Sequence, residues 1–214
     1  MKKVVSIALF ALLSSSANAQ AKRDIPVNLE TIVGIIRSNT SLTLNKRIQG
    51  KFRYMNITSL ASYYKNSEGP TEMVSVNSIG YQFHKNIGVY SGIQYHYAKG
   101  FMPHIAVSFS HATPDFLIAI TPYYNFMPFN GLETIGVIEF KPKLGRNTRL
   151  FTRFQGLYGH NLDTDIWARE MLYFRAGISI KQYTFGLASQ FDYYKQGNRK
   201  VLDYGAFVRL ALFN

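Results

Sequence analysis

The chain has 214 residues, with 24 Lys and Arg against 12 Asp and Glu, no cysteine, and 15 Tyr and 16 Phe beside a single Trp. Without cysteine it can form no disulfide, no thiolate metal site and no lipid anchor on a cysteine. Beyond the first residues no stretch approaches the roughly 20 uncharged apolar residues of a spanning helix, so any crossing of a membrane is by strands.

The N-terminus reads as an export signal. Lys2 and Lys3 precede an apolar run from Val4 to Leu13, then Ser14-Ser15-Ser16 and the small-x-small triplet Ala17-Asn18-Ala19. Cleavage near Ala19 leaves one domain, 20–214, and lowers the net charge from +12 to +10 as the two lysines leave. Basic charge of this size usually suggests nucleic acid, but export excludes that partner.

Residues 20–50 allow two readings. One is a hairpin, Val27 to Ile36 and Ser41 to Ile48, around Arg37-Ser38-Asn39-Thr40. The other is a short helix over Leu29 to Arg37 that fills the interior of a barrel. The hairpin is preferred, because Asn45 to Lys51 repeats the tight turn and aromatic strand found at Lys143 to Phe151.

From Lys51 onward, segments of roughly ten to fifteen residues alternate apolar and polar side chains. Strands are expected near 51–65, 71–83, 87–97, 101–112, 115–126, 132–142, 148–158, 168–180, 183–194 and 201–213. In the last of these, Leu202, Tyr204, Ala206, Val208, Leu210 and Leu212 share one face, while Asp203, Gly205, Phe207, Arg209 and Ala211 share the other. Tight connections such as Lys85-Asn86 and Lys181-Gln182 alternate with longer ones such as Asn66 to Pro70 and Lys195 to Lys200.

Such alternation suits either a soluble sandwich or lipocalin-like barrel with its apolar face inward, or a membrane barrel with that face outward. Mid-strand glycines and arginines on the mixed faces fill a dry core badly, and the aromatics gather at strand ends. Tyr63, Tyr123 and Tyr194 are placed with the aromatics of one rim, and Tyr81, Phe83, Phe140, Tyr183 and Phe213 with the other. The expectation is therefore an all-β, antiparallel up-and-down transmembrane β-barrel of about 10 to 12 strands, with both termini at one end.

The signal, the alternating strands and a final strand closing on Leu212-Phe213 resemble the small outer-membrane β-barrel proteins of Gram-negative bacteria. The resemblance is one of architecture, carried by no specific motif. It implies an outer-membrane location, contact with outer-membrane lipid, and a C-terminal strand read by the barrel insertion machinery. In that class the final residue is typically aromatic, whereas here Asn214 follows Phe213.

Three sets of side chains carry functional expectations. Arg153, Arg175 and Arg209 lie on inward faces with Glu139 placed diagonally near Arg153 and Arg149, forming a basic lumen or constriction. It is either narrowly open to small anions or closed by Glu139, Asp192 and Asp203 as counter-charges. His96, His104 and Ser108 are weak candidates for an outer-membrane lipid-modifying hydrolase. His104 and Ser108 stand about 13 Å apart along a strand, too far for direct proton transfer, and no acid is evident beside either histidine. Tyrosine-rich loops suit a receptor or an assembly partner in the envelope. Histidines at metal-ligand spacing and nucleotide-binding motifs are missing, so neither a metal nor another cofactor is expected.

Overall fold

In a computed structural model the alternating segments pair into one closed antiparallel barrel. The structure describes residues 27–65, 69–126, 130–164, 166–195 and 197–212; the stretch expected to be an export signal, Phe213 and Asn214 lie outside them. The twelve strands are β1 (Val27–Gly34), β2 (Arg37–Gln49), β3 (Phe52–Tyr63), β4 (Glu72–His84), β5 (Ile87–His96) and β6 (Gly100–Ala112), followed by β7 (Phe116–Asn125), β8 (Gly131–Phe140), β9 (Thr148–Asn161), β10 (Ile166–Ile180), β11 (Tyr183–Tyr194) and β12 (Arg199–Leu212). Each pairs with its neighbours in sequence, and β1 closes on β12 from Val27↔Leu212 to Gly34↔Gly205. Closure gives every strand a hydrogen-bonded neighbour on both sides over their shared spans, as a sheet in hydrocarbon requires.

Exposure fixes which face is outside. On β12, Leu202, Tyr204 and Val208 are 48–58% exposed, whereas Asp203 and Phe207 are 1% exposed. The apolar face is outward on the other strands too, with Leu187, Phe101, Ile79 and Phe185 standing free. Val27 and Leu212 mark the terminal end of the barrel, where the connections after β2, β4, β6, β8 and β10 also lie. The opposite, loop end carries the connections after β1, β3, β5, β7, β9 and β11.

Two expectations are corrected. The N-terminal segment is a hairpin, but it turns at Ile35-Ile36, and Arg37 to Thr40 belong to β2. No helix forms over Leu29 to Arg37. The reason lies far away in sequence: one Asp203 carboxylate oxygen accepts the backbone N–H groups of Ile35 (2.8 Å) and Ile36 (3.0 Å), and the other accepts that of Arg37 (3.2 Å). Two β-branched residues have poor turn chemistry of their own, and a buried anion supplies it. The second correction concerns the aromatics. Tyr63 and Tyr123 are 9% and 3% exposed and point into the barrel, because their parity along β3 and β7 is that of the inward face.

The turn sits well below the loop end, since Gly34 pairs with Gly205 while β12 continues up to Arg199. A Cβ on Gly34 would stand 1.9 Å from an Asp203 carboxylate oxygen, so the close approach requires glycine. Asp203→Ala is expected to destabilise the barrel by about 2–3 kcal/mol, because buried N–H groups lose a charged acceptor. Asp203→Asn retains one acceptor oxygen and should cost less. The check is the temperature at which the folded band disappears in semi-native electrophoresis, with Gly34→Ala expected to fall on the destabilised side.

Candidate functional site

The lumen is crossed by charged side chains in two groups, and the strands that carry them explain why they meet. Near the terminal end, Glu139 on β8 lies opposite Arg153 on β9 in the ladder, which in turn lies opposite Arg175 on β10. Three arginines and a lysine converge there on few carboxylates. Glu139 is 1% exposed and pairs with Lys141 (2.8 Å), Arg209 (2.9 Å) and Arg153 (3.2 Å). Arg175 pairs with Glu30 on β1 at 2.7 Å.

Arg153 and Arg175 are like charges on facing positions, an arrangement that needs shared acceptors. The Gln155 carbonyl oxygen accepts from both, at 3.4 and 3.3 Å. Arg209 is held further by Asn28, through its Nε (3.2 Å) and Nη2 (3.0 Å), and lies 5.2 Å over the Phe151 ring.

The second group lies toward the loop end. Arg37, wholly buried, donates to Asp192 on β11 and to the hydroxyls of Tyr63 (3.2 Å) and Tyr173 (3.3 Å). Arg169 binds the other Asp192 oxygen through Nη2 (2.6 Å) and Nε (3.0 Å), and Tyr173 donates to the oxygen that Arg37 uses (2.9 Å). Glu72 on β4 accepts from Arg199 (2.8 Å) and from the Tyr194 hydroxyl (2.6 Å), and lies 3.6 Å from Arg169. In a ring of twelve strands β4 and β10 are opposite walls, so Glu72 and Arg169 approach across the full width of the lumen.

Beside the terminal-end group one wall of the interior turns apolar. Phe207 lies between Asp203 and Arg209 along β12, Ile32 between Glu30 and Gly34 along β1, and Ala188 between Thr184 and Asp192 along β11. These three pack with Phe151 into one buried cluster, the Phe151 and Phe207 rings 5.7 Å apart. Phe151 stands on the terminal side of Arg153 along β9 and Phe207 on the loop side of Arg209 along β12, so this hydrocarbon is set among the terminal-end charges.

Arg153, Arg175, Arg209 and Glu139, expected to share a constriction, are brought together. Other details differ. Glu139 faces Arg153 directly instead of diagonally, and Arg149 turns away to Asp115 at 2.7 Å. Asp203 is no counter-charge to an arginine side chain but holds the β1–β2 turn, and Asp192 serves Arg37 and Arg169 instead of the terminal-end arginines.

The residues considered for hydrolysis are spread out. Ser108 bonds the Thr121 hydroxyl at 2.8 Å, and the Nδ1 of His96 accepts the backbone N–H of Ala98 at the loop end. His104 has a serine partner that sequence reasoning missed, Ser78 on β4, with Oγ 2.8 Å from Nε2. Both side chains are fully buried, and the His104 Nδ1 has no partner to orient the ring as the third member of a triad would.

The loop-end group was also missed. Inward parity is readable for Glu72 and Arg169, but their approach joins strands six places apart in the ring, which no local pattern encodes. Asp192→Asn is expected to cost about 3–5 kcal/mol by leaving buried Arg37 and Arg169 without their carboxylate. Asp115→Asn, which opens the half-exposed pair with Arg149, should change stability by less than about 1 kcal/mol. Thermal loss of the folded band in detergent compares the two.

No family model matches the chain, and none of the curated proteins does. Solved structures match in fold. The KdgM porin superposes with a TM-score of 0.52 at 12% identity, covering 86% of this chain and 98% of the porin. The NanC porin gives 0.52 at 11% identity, covering 87% and 98%. The KdgM porin in complex with disordered oligogalacturonate gives 0.50 at 12% identity, covering 86% and 98%. At these identities the likeness is one of architecture, and the chain is a twelve-stranded barrel with the fold of outer-membrane porins.

Proposed function

We propose that the protein is an outer-membrane channel whose braced, cationic lumen passes small anions. The observation that carries this reading is the imbalance of the two inward groups. Among the described residues, Lys141, Arg153, Arg175, Arg209, Arg37, Arg169 and Arg199 share only Glu30, Glu139, Glu72 and Asp192. Arg53, Glu133 and Asp203 also face inward, and the balance stays positive with them included.

A positive lumen concentrates anions and repels cations by its summed field, and low-dielectric walls strengthen the effect. Arginine forks suit carboxylates and phosphates, which can replace a shared protein carboxylate one bond at a time. A solved KdgM porin structure carries oligogalacturonate, an anionic sugar chain, which supports acidic solutes as the class to try first. The apolar cluster at Phe151 and Phe207, set among the terminal-end charges, narrows that part of the lumen from one wall.

Purified protein in planar bilayers under a salt gradient tests the reading. The wild type is expected to conduct with a zero-current potential on the anion side. Glu139→Gln should increase anion preference by freeing Arg153, Arg209 and Lys141 from their common counter-charge, and Arg209→Gln should reduce it. Phe207→Ala should raise conductance. A folded, heat-modifiable barrel that passes no current as wild type, as Phe207→Ala and as Glu72→Gln would mean the lumen is shut and the protein is no channel.

A further inference from the structure

The outward wall is apolar over most of its circumference, but not over β1 to β4. On β3 and β4, Tyr54, Asn56, Thr58, Ser75 and Asn77 share the face that carries Phe52, Leu60, Ile79 and Tyr81. They form one hydrogen-bonded cluster. Asn56 Nδ2 and the Tyr54 hydroxyl donate to Asn77 Oδ1 at 2.8 and 2.9 Å, and Asn77 Nδ2 donates to Ser75 Oγ at 3.2 Å. The Thr58 hydroxyl lies 2.8 Å from Ser75 Oγ and donates to Asn56 Oδ1 at 3.3 Å.

On the adjoining strands β1 and β2 the Thr31 and Thr40 hydroxyls pair at 3.1 Å on the same outward face. Among the described residues, the wall from β6 to β12 offers, apart from tyrosines, only the separate Thr134, Thr152, Glu170 and Ser189 away from the end turns, with no hydrogen-bonded cluster among them.

Lipid does not suit such a surface. An amide nitrogen carries two N–H groups, and the cluster uses one on Asn56 and one on Asn77. The remaining N–H of each points toward hydrocarbon, where nothing accepts it. Acyl chains cannot serve, and the cluster stands four to eight residues up from the Gly50-Lys51 turn along β3, away from the headgroups.

We propose that this face is the contact between two copies of the chain, related by a two-fold axis along the membrane normal. The cluster is neutral, so a charged partner gains nothing from it. Amides and hydroxyls both donate and accept, which makes the surface complementary to itself. A second copy in the same orientation places its own cluster at the same depth without further adjustment. Because this polar face has no counterpart elsewhere on the described wall, the contact joins like to like and closes at two copies.

A face four strands wide, about 19 Å, over a band about 25 Å tall buries on the order of 480 Å² per copy. That total of roughly 950 Å² is the size of a weak, reversible contact, which confinement of both copies to one membrane favours. The inference requires the barrel to stand in a bilayer but not that its lumen conducts.

The chain has no cysteine, so single cysteines report contact cleanly. Thr58→Cys, oxidised in isolated outer membranes, is expected to shift from monomer to twice the monomer mass, since a two-fold contact sets Thr58 near its copy. Leu187→Cys, exposed on the far wall, should stay monomeric. In lipid nanodiscs the unmodified chain should have dimer mass, and Asn56→Leu with Asn77→Leu should be monomeric while keeping its heat-modifiable band. A monomeric wild type, equal cross-linking at both cysteines, or a Thr58→Cys adduct of a mass other than two chains would each overturn the proposal. Failure to enter the membrane fraction would overturn the outer-membrane reading instead.

Discussion

Closure of the sheet is the constraint on which every other feature depends. Once Val27 to Gly34 pair with Gly205 to Leu212, every strand has a partner on each side, and the apolar alternation can face outward with its backbone groups paired along the shared spans. The same closure turns the mixed faces of twelve strands toward one another. Charges that would be solvated on an open sheet are then confined together, and their arrangement follows from that confinement.

Confinement explains why carboxylates are shared. Glu139 serves Lys141, Arg153 and Arg209, while Asp192 serves Arg37 and Arg169. With fewer anions than cations, neutral acceptors fill in: Gln155 between Arg153 and Arg175, Asn28 beneath Arg209, and Tyr63 and Tyr173 around Arg37. The pairs Arg37–Asp192, Arg169–Glu72, Arg175–Glu30, Arg199–Glu72 and Arg209–Glu139 are cross-braces as well as charge contacts, since their partners come from strands three to six places apart in the ring. Rigidity and electrostatic character in this lumen have the same source.

The barrel was legible in the sequence because its determinant is local. A period of two repeated over segment after segment sets strand, face and approximate ends, and expected strands such as 87–97 and 183–194 closely match β5 and β11. Parity also located the inward arginines and Glu139. What remained hidden depends on which inward side chains meet beyond their adjacent ladder partners, from two strands away to the full width of the ring. Glu72 with Arg169, Ser78 with His104, and Asn39 with Gln190 are such cases. The β1–β2 turn failed for a related reason. Ile35-Ile36 resembles strand, and the turn exists because a carboxylate on the last strand captures its amides.

That capture bears on the order of assembly. Asp203 stands 166 to 168 residues from the amides it binds, so the first hairpin cannot take its final shape until the last strand has arrived. Contacts this distant in sequence form late and slowly. The seam is therefore also a proofreading device: a chain that stops short of Asp203 retains ten of its neighbouring strand pairs but leaves its opening hairpin undefined at the point where the barrel must be sealed.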